Sequence, residues 1–229
     1  MYQTKQFWDL MLGESWSDRL YNSFIADNAE IHKNMQDIGK LYKTDFQIIP
    51  ARSKIFKPFR ECPVDDVRVI FIADSPHYKN MCTGLALANP EGTSLKNSTS
   101  DLQAFRDAIE RSFPGYGEYL PSDLRFIANQ GVLFLYSSLT NGTASHHRYW
   151  TPFISNTLRV ITENGGIAVI TMGANAGALI KYIGQDCLLI TTTNPVYFNK
   201  DSPLEINFKT IDSYLNRLYG RSINWVMPF

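Results

Sequence analysis

The stretch VRVIFIADSPHYKNMCTGLAL, residues 67–87, decides the fold of this chain. Its first seven residues are too apolar and too rich in β-branched side chains for a surface helix. Such a run is typical of a strand that is buried on both faces of a parallel sheet. The polar segment from Asp74 to His77 follows this strand directly, and in parallel sheets functional sites gather beyond the carboxyl ends of the strands.

Three further runs have the same character: GVLFLYSSL from Gly131, IAVITMG from Ile167 and CLLITTT from Cys187. Apolar residues at helical spacing lie between the strands in DLQAFRDAIERSF, TPFISNTLRVITEN and NAGALIKYI, and after them in INFKTIDSYLNRLYG. The first forty or so residues also have helical spacing, and the proline-containing QIIPARSKIFKPFREC is interpreted as a loop. This alternation predicts an α/β fold with a central four-stranded parallel sheet flanked by helices. We expect one domain that spans residues 1–229.

Composition limits the kinds of function that the chain can have. Lys and Arg together number 22, as do Asp and Glu, so the net charge is zero and any DNA contact must use local patches, hydroxyls or backbone amides. The three cysteines match no zinc spacing, and the P-loop, GxGxxG and HExxH patterns are missing, so we expect no metal and no cofactor. No signal region and no run of about 20 apolar residues is found, which predicts a cytoplasmic protein without a membrane partner, and we expect a monomer.

Four loops follow the predicted strands, and their residues have ordinary interpretations as well as functional ones. An Asp after a strand, such as Asp74, is by default a turn former or a helix cap. Asn194-Pro195 is a common turn dipeptide. Gly173 permits a close approach of the backbone. Tyr197 and Phe198 are less ordinary, because exposed aromatic residues at a loop tip suit insertion into a stack of bases.

Taken together, the loops resemble those of the family-1 uracil-DNA glycosylases over nearly the whole chain. ADSPHYKNMCTGLAL resembles the family's GQDPYH loop and the Gly-Leu pair that follows it. Further segments resemble family elements in the same order along the chain: TSL at 93–95, PGYGEYL at 114–120, NQGVLFLYSSLT at 129–140, SHHRYW at 145–150 and the ending INW at 223–225. The resemblance implies a DNA glycosylase that flips a base out of DNA and hydrolyses its glycosidic bond.

The resemblance also implies roles for individual residues. Asp74 falls on the catalytic carboxylate, and Asn194 stands where the family has a catalytic His. The base-binding pocket is expected to comprise Ala73, Pro76, His77, Leu87 and Tyr136. Contacts to DNA are expected from Ser94, Ser145, His146, Pro195, Tyr197 and Phe198, with Phe198 or Tyr197 filling the gap that a flipped base leaves.

Several of these residues depart from the family pattern. Tyr136 replaces the Asn that pairs with the uracil edge, and a single hydroxyl cannot reproduce the donor and acceptor of an amide. Pro76 replaces the Tyr that blocks the C5 position, Leu87 replaces a Phe and Ala73 replaces a Gln. These three replacements remove bulk, so we expect a wider pocket near C5.

Three hypotheses follow from the departures. The first is a glycosylase for a pyrimidine with a bulky C5 modification, such as glucosylated hydroxymethylcytosine in phage DNA, in a setting of antiphage defence. The second is a uracil-DNA glycosylase of base excision repair with a divergent site. The third is a homologue with impaired catalysis that binds DNA or a partner protein. Retention of Asp74 argues against the third, because a protein without chemistry has no need of that carboxylate.

Overall fold

A computed structural model describes residues 3–197 and 203–227 of the chain. Its centre is a four-stranded parallel sheet with the strand order β2-β1-β3-β4. The strands are β1 Val69–Ala73, β2 Val132–Tyr136, β3 Ala168–Met172 and β4 Leu188–Thr192. The predicted fold class is therefore confirmed, although each strand is shorter than the apolar run that predicted it.

Helices cover both faces of the sheet. Their bounds are α1 Lys5–Leu12, α2 Glu14–Leu20, α3 Ala29–Thr44, α4 Lys57–Glu61, α5 Ser100–Ser112, α6 Arg125–Ala128, α7 His147–Thr162, α8 Ala174–Gly177 and α9 Phe208–Tyr219. Alternate residues of β1 belong to different cores: Val69 and Phe71 pack with α5 and α9, whereas Ile70 and Ile72 pack with α1, α4 and α7. Burial on both faces explains why this strand is apolar throughout.

The helical regions differ from the sequence prediction in three places. The N-terminal region is interrupted by a π-helical turn at Tyr21–Ile25, and α3 begins after Asn28, whose Oδ1 accepts from the Ile31 amide at 3.1 Å. The segment interpreted as a loop contains α4, which tolerates Pro58 because a proline in the first helical turn removes no intrahelical bond. The helix predicted in NAGALIKYI is only the single turn α8 followed by a 3₁₀ turn at Ile180–Tyr182, since glycine at position 177 weakens a helix.

Strand β4 also differs from its prediction as a fully buried strand. It lies at the edge of the sheet, and its residues alternate between half-buried and exposed, with Leu189 40% exposed. Its sequence resembles that of the central strands because Leu188 and Ile190 still pack against the core beneath. The apolar run therefore indicated a strand correctly but not its edge position.

Candidate active site

Asp74 lies at the centre of the carboxyl edge of the sheet, because it follows β1 and β1 is an inner strand. Its Oδ1 accepts a hydrogen bond of 2.9 Å from the Ala176 amide, and its Oδ2 accepts one of 3.0 Å from Asn194 Nδ2. Its carbonyl accepts from Ser137 Oγ at 2.6 Å, which ties the end of β1 to the end of β2. The carboxylate is thus held in one orientation by donors that follow β3 and β4.

Gly173 makes this arrangement possible. Its φ is +100°, and a Cβ added there would lie 2.6 Å from Asp74 Oδ2. A side chain at this position would therefore meet the carboxylate and strain the backbone. The predicted close approach of the backbone is confirmed, and the group that approaches is the predicted catalytic residue.

An open cleft of about 840 Å³ lies beside Asp74 on the side of β3 and β4. The described residues that line it bear hydroxyl, amide and carboxyl groups and include no Lys or Arg. They are Asp74, Gly173, Ala174, Asn175, Thr191, Thr192, Thr193, Asn194, Tyr197, Pro203 and Glu205. The structure thus brings the two predicted catalytic residues, Asp74 and Asn194, together at one cleft.

The residues predicted for the base pocket lie on the other side of Asp74, towards β2. Ala73, Pro76, Leu87 and Tyr136 are buried, and none of them lines the open cleft. Ala73, Leu87 and Tyr136 belong to the same apolar cluster. The replacements at positions 73 and 87 remove bulk from this cluster. Tyr136 adds bulk to the same cluster, because its ring is larger than an Asn side chain.

His77 is held by two acceptors. Its Nε2 lies 3.4 Å from Asp101 Oδ2, and its Nδ1 lies 3.1 Å from the Ser75 carbonyl. Burial lowers the pKa of His77, but the hydrogen bond and the negative charge of Asp101, together with the Ser75 carbonyl, outweigh burial and raise the pKa above its ordinary value. The contact with Asp101 therefore stabilises the protonated form of this imidazole relative to that of a free histidine.

The residues predicted to contact the DNA backbone are not all on the surface. Ser94 and Ser145 are exposed, but His146 is only 2% exposed. Trp150 Nε1 donates to Thr140 Oγ1 at 2.7 Å, and Thr140 Oγ1 lies 2.9 Å from His146 Nδ1. The Thr140 hydroxyl therefore connects Trp150 to His146 in one buried network of hydrogen bonds. His146 thus stabilises the loop after β2 from its buried side.

The loop after β4 places its residues unequally. Pro195 is buried, whereas Tyr197 is 72% exposed at the edge of the cleft. Phe198, the other residue predicted to fill the gap of a flipped base, lies outside the described residues.

Sequence reasoning missed two contributors to the site. Ala176 supplies only its amide, so its side chain gives no signal. Asp101 stands in the first turn of α5, where an acidic residue is an ordinary helix feature. Its proximity to His77 depends on tertiary packing.

Comparisons with known proteins show the family of this chain. No family model matches the chain. A uracil-DNA glycosylase of Borreliella burgdorferi is 32% identical over 224 residues, which cover 93% of this chain and 97% of the relative. The chain belongs to the uracil-DNA glycosylase family. It is accordingly a DNA N-glycosylase, a hydrolase of N-glycosyl bonds.

Other members of the uracil-DNA glycosylase family are similar over comparable lengths. The uracil-DNA glycosylase of Dichelobacter nodosus is 28% identical over 232 residues, covering 95% of this chain and 96% of the relative. The crystal structure of mimivirus uracil-DNA glycosylase matches with a TM-score of 0.80 at 15% identity, covering 98% of this chain and 90% of that one. The structural match shows a shared fold.

Two further properties concern the part of this glycosylase that the structure describes. No helix within residues 3–197 and 203–227 has the length and apolar character needed to cross a membrane. Within the same ranges, no group of three or more His, Cys, Asp or Glu side chains is arranged to hold a metal ion.

Proposed function

We propose that this protein flips a nucleotide out of DNA and hydrolyses its N-glycosidic bond with Asp74 as the catalytic carboxylate. The observation that carries the proposal is the orientation of Asp74 by Ala176 and Asn194 beside an open cleft. Donors that fix a charged group before the reaction reduce the reorganisation that the reaction requires. The product is an abasic site.

The chemistry assigned to the carboxylate is electrostatic. As the bond between the sugar carbon C1′ and the base nitrogen breaks, its electron pair leaves with the base and positive charge develops on the sugar. The Asp74 carboxylate stabilises that charge and orients the water molecule whose oxygen bonds to C1′. The water gives up a proton in this step, and the departing base anion takes up a proton.

Asn194 is assigned the neighbouring role. Its Nδ2 donates to Asp74 Oδ2 at 3.0 Å, so the amide lies at the edge of the reacting centre. Within the proposal it offers one neutral hydrogen bond to the departing base, in the place where the family has a His. Its Oδ1 accepts from the Val196 amide at 3.0 Å, which fixes the orientation of the side chain.

The contacts to the DNA backbone are proposed to be made by hydroxyl groups and backbone amides. Ser94 and Ser145 are exposed, and such hydroxyls position phosphates without adding net charge. Tyr197, which is exposed at the edge of the cleft, is proposed to enter the space that the flipped base vacates.

The proposed substrate is a pyrimidine with a bulky C5 modification, of which glucosylated hydroxymethylcytosine is an example. Two replacements support this choice. Pro76 stands where the family has the Tyr that fills the space at C5, and Tyr136 presents one hydroxyl where an amide pairs with uracil. Excision of such a base from phage DNA is the proposed biological role.

Uracil is the second candidate substrate. It is favoured by the relatives of 25–32% identity that are named uracil-DNA glycosylases. A site that leaves polar groups of a base unpaired rejects that base strongly, so uracil is expected to react slowly here.

Single-turnover excision on oligonucleotides with one uracil or one glucosylated hydroxymethylcytosine tests the proposal. We expect release of the glucosylated base by the wild type and a loss on the order of 10³-fold or more in Asp74→Asn, with DNA affinity retained. Near-normal excision by Asp74→Asn contradicts the catalytic role. Efficient release of uracil without release of the glucosylated base establishes the second candidate instead.

A further inference from the structure

A polar cluster lies on the β2 side of Asp74, opposite the open cleft, and it is buried except at His77. Its members are Asp101 in α5, His77 in the loop after β1 and Tyr136 at the end of β2. Asp101 is only 3% exposed, and its Oδ2 is 3.4 Å from His77 Nε2. Its Oδ1 is buried and makes no hydrogen bond to any described residue.

Tyr136 supplies a second hydrogen-bonding group in this cluster, its hydroxyl. The residue is only 6% exposed. Burial raises the pKa of this hydroxyl, and the nearby Cys82, Asp101 and Tyr78 raise it further, so it is a proton donor at neutral pH. Tyr136 is in register with Ala73, the residue before Asp74, which places it one strand away from the catalytic carboxylate.

The unpaired oxygen of Asp101 requires an explanation. A buried acceptor without a partner costs free energy, and native proteins keep few of them. Pairing with His77 occupies only one oxygen of Asp101, so a purely structural role in fixing that ring leaves the second oxygen unexplained. A ligand that supplies a donor satisfies this oxygen, and the same ligand can accept a hydrogen bond from the Tyr136 hydroxyl.

We infer that Asp101 Oδ1 accepts a hydrogen bond from the 4-amino group of the flipped base, so that this glycosylase prefers 4-amino pyrimidines to 4-oxo pyrimidines. The inference rests on the proposed function, because it assumes that the base enters beside Tyr136. A carboxylate is a suitable acceptor for the amino group of cytosine. The O4 atom of a uracil-type base is itself an acceptor, and the same carboxylate repels it.

Tyr136 complements this assignment. The ring nitrogen N3 of a cytosine-type base is an acceptor, and the Tyr136 hydroxyl is a donor that carries its proton at neutral pH. Asp101 and Tyr136 together thus match the donor and acceptor on adjacent positions of an amino pyrimidine. Asp101 is the member that discriminates, because a hydroxyl can also accept from the N3–H of a uracil-type base.

The test compares four oligonucleotides that differ at one base only. That base carries an amino or an oxo group at C4 and either hydrogen or a glucosylated hydroxymethyl group at C5. The bases are cytosine, uracil and the glucosylated 5-hydroxymethyl derivative of each. Among bases with the same C5 substituent, we expect the wild type to excise the 4-amino base about 10- to 100-fold faster than the 4-oxo base. Asp101→Asn, whose amide can donate to O4, is expected to remove most of this difference by raising excision of the oxo base.

Asp107→Asn is the matched control, because Asp107 lies on the same helix and pairs with Arg106 away from the cluster. It should leave the amino-to-oxo ratio unchanged. Thermal melting of each variant checks folding, and the wild-type ratio tests the inference even if Asp101→Asn does not fold.

The possible outcomes separate this inference from the proposed function. A wild type that excises the oxo base as fast as the amino base, or an Asp101→Asn variant that lowers both equally, overturns the role of Asp101. If the protein excises only cytosine or uracil and neither glucosylated base, the proposed C5 preference is wrong. The ratio of cytosine excision to uracil excision then still tests the role of Asp101. Inactivity on all four bases overturns the proposed function and this inference with it.

Discussion

At the scale of single residues, the site depends on the contacts of one carboxylate. Asp74 accepts from Ala176, which is 102 positions away, and from Asn194, which is 120 positions away. Gly173 allows the chain to pass directly against the same carboxylate. The geometry around Asp74 is therefore sensitive to a single added methyl group.

Gly173→Ala is expected to reduce excision about 100-fold, the size of effect that a misplacement of about 1 Å can produce. The added Cβ would lie 2.6 Å from Asp74 Oδ2 on a backbone with φ of +100°, so the carboxylate must shift. Single-turnover excision measures the loss.

Gly177→Ala provides the matched control, because a Cβ at this position meets nothing within 4 Å. Excision by this variant should stay within about twofold of the wild type, since alanine is also the better helix former. Equal activity of the two variants would show that the close approach at Gly173 is irrelevant to catalysis.

At the scale of secondary-structure elements, the loops beyond β3 and β4 form the open cleft together with Asp74, and the predicted base-pocket residues that are buried lie on the side of β1 and β2. The edge position of β4 leaves its following loop accessible, with Tyr197 72% exposed. An exposed aromatic ring beside a catalytic cleft is suited to contact with bases.

Tyr197→Ala is expected to lower excision from duplex DNA about tenfold and excision from single-stranded DNA by about twofold or less. The reason is that a paired base must be unstacked, which costs a few kcal/mol, whereas an unpaired base needs less help. The two rates are compared on oligonucleotides of identical sequence.

Leu10→Ala serves as the control for Tyr197→Ala. Leu10 is also 72% exposed but lies on α1, away from the residues that line the cleft. Both rates should equal those of the wild type. Equal losses on duplex and single-stranded DNA in Tyr197→Ala argue against insertion of this ring.

At the scale of the whole molecule, charge is balanced, with 22 basic and 22 acidic residues. The described residues of the cleft include no Lys or Arg but do include Glu205. We therefore expect DNA affinity in this protein to depend less on release of counterions than it does in a basic DNA-binding protein.

We expect a slope no steeper than about −3 when the logarithm of the DNA association constant is plotted against the logarithm of salt concentration. Each phosphate that a cationic side chain neutralises contributes about −0.9 to this slope. Fluorescence anisotropy with the Asp74→Asn variant measures this slope without excision.

Glu205→Lys places a cation in the cleft and is expected to steepen the slope by about one. Because Glu205 is exposed, we expect this substitution to leave the fold intact. A wild-type slope near −6 contradicts the proposal that hydroxyls and amides dominate the backbone contacts.

The sequence by itself determined the four strands, their parallel arrangement and the place of Asp74. These features follow from local patterns: a strand buried on both faces must be apolar throughout, and a site in such a sheet must lie beyond the carboxyl ends. The close approach at Gly173 was also predicted from its position at the end of a strand. The motif order was sufficient to indicate the family.

Only the tertiary structure decided how the residues of the site are distributed. The order β2-β1-β3-β4 places Asn194 with Asp74 at the open cleft and Tyr136 on the buried side. Packing of the loops also buries His146 against Thr140 and brings Asp101 next to His77. The physical reason is that strand order, edge position and contacts between distant loops depend on packing between residues far apart in the chain, which no local pattern of one sequence encodes.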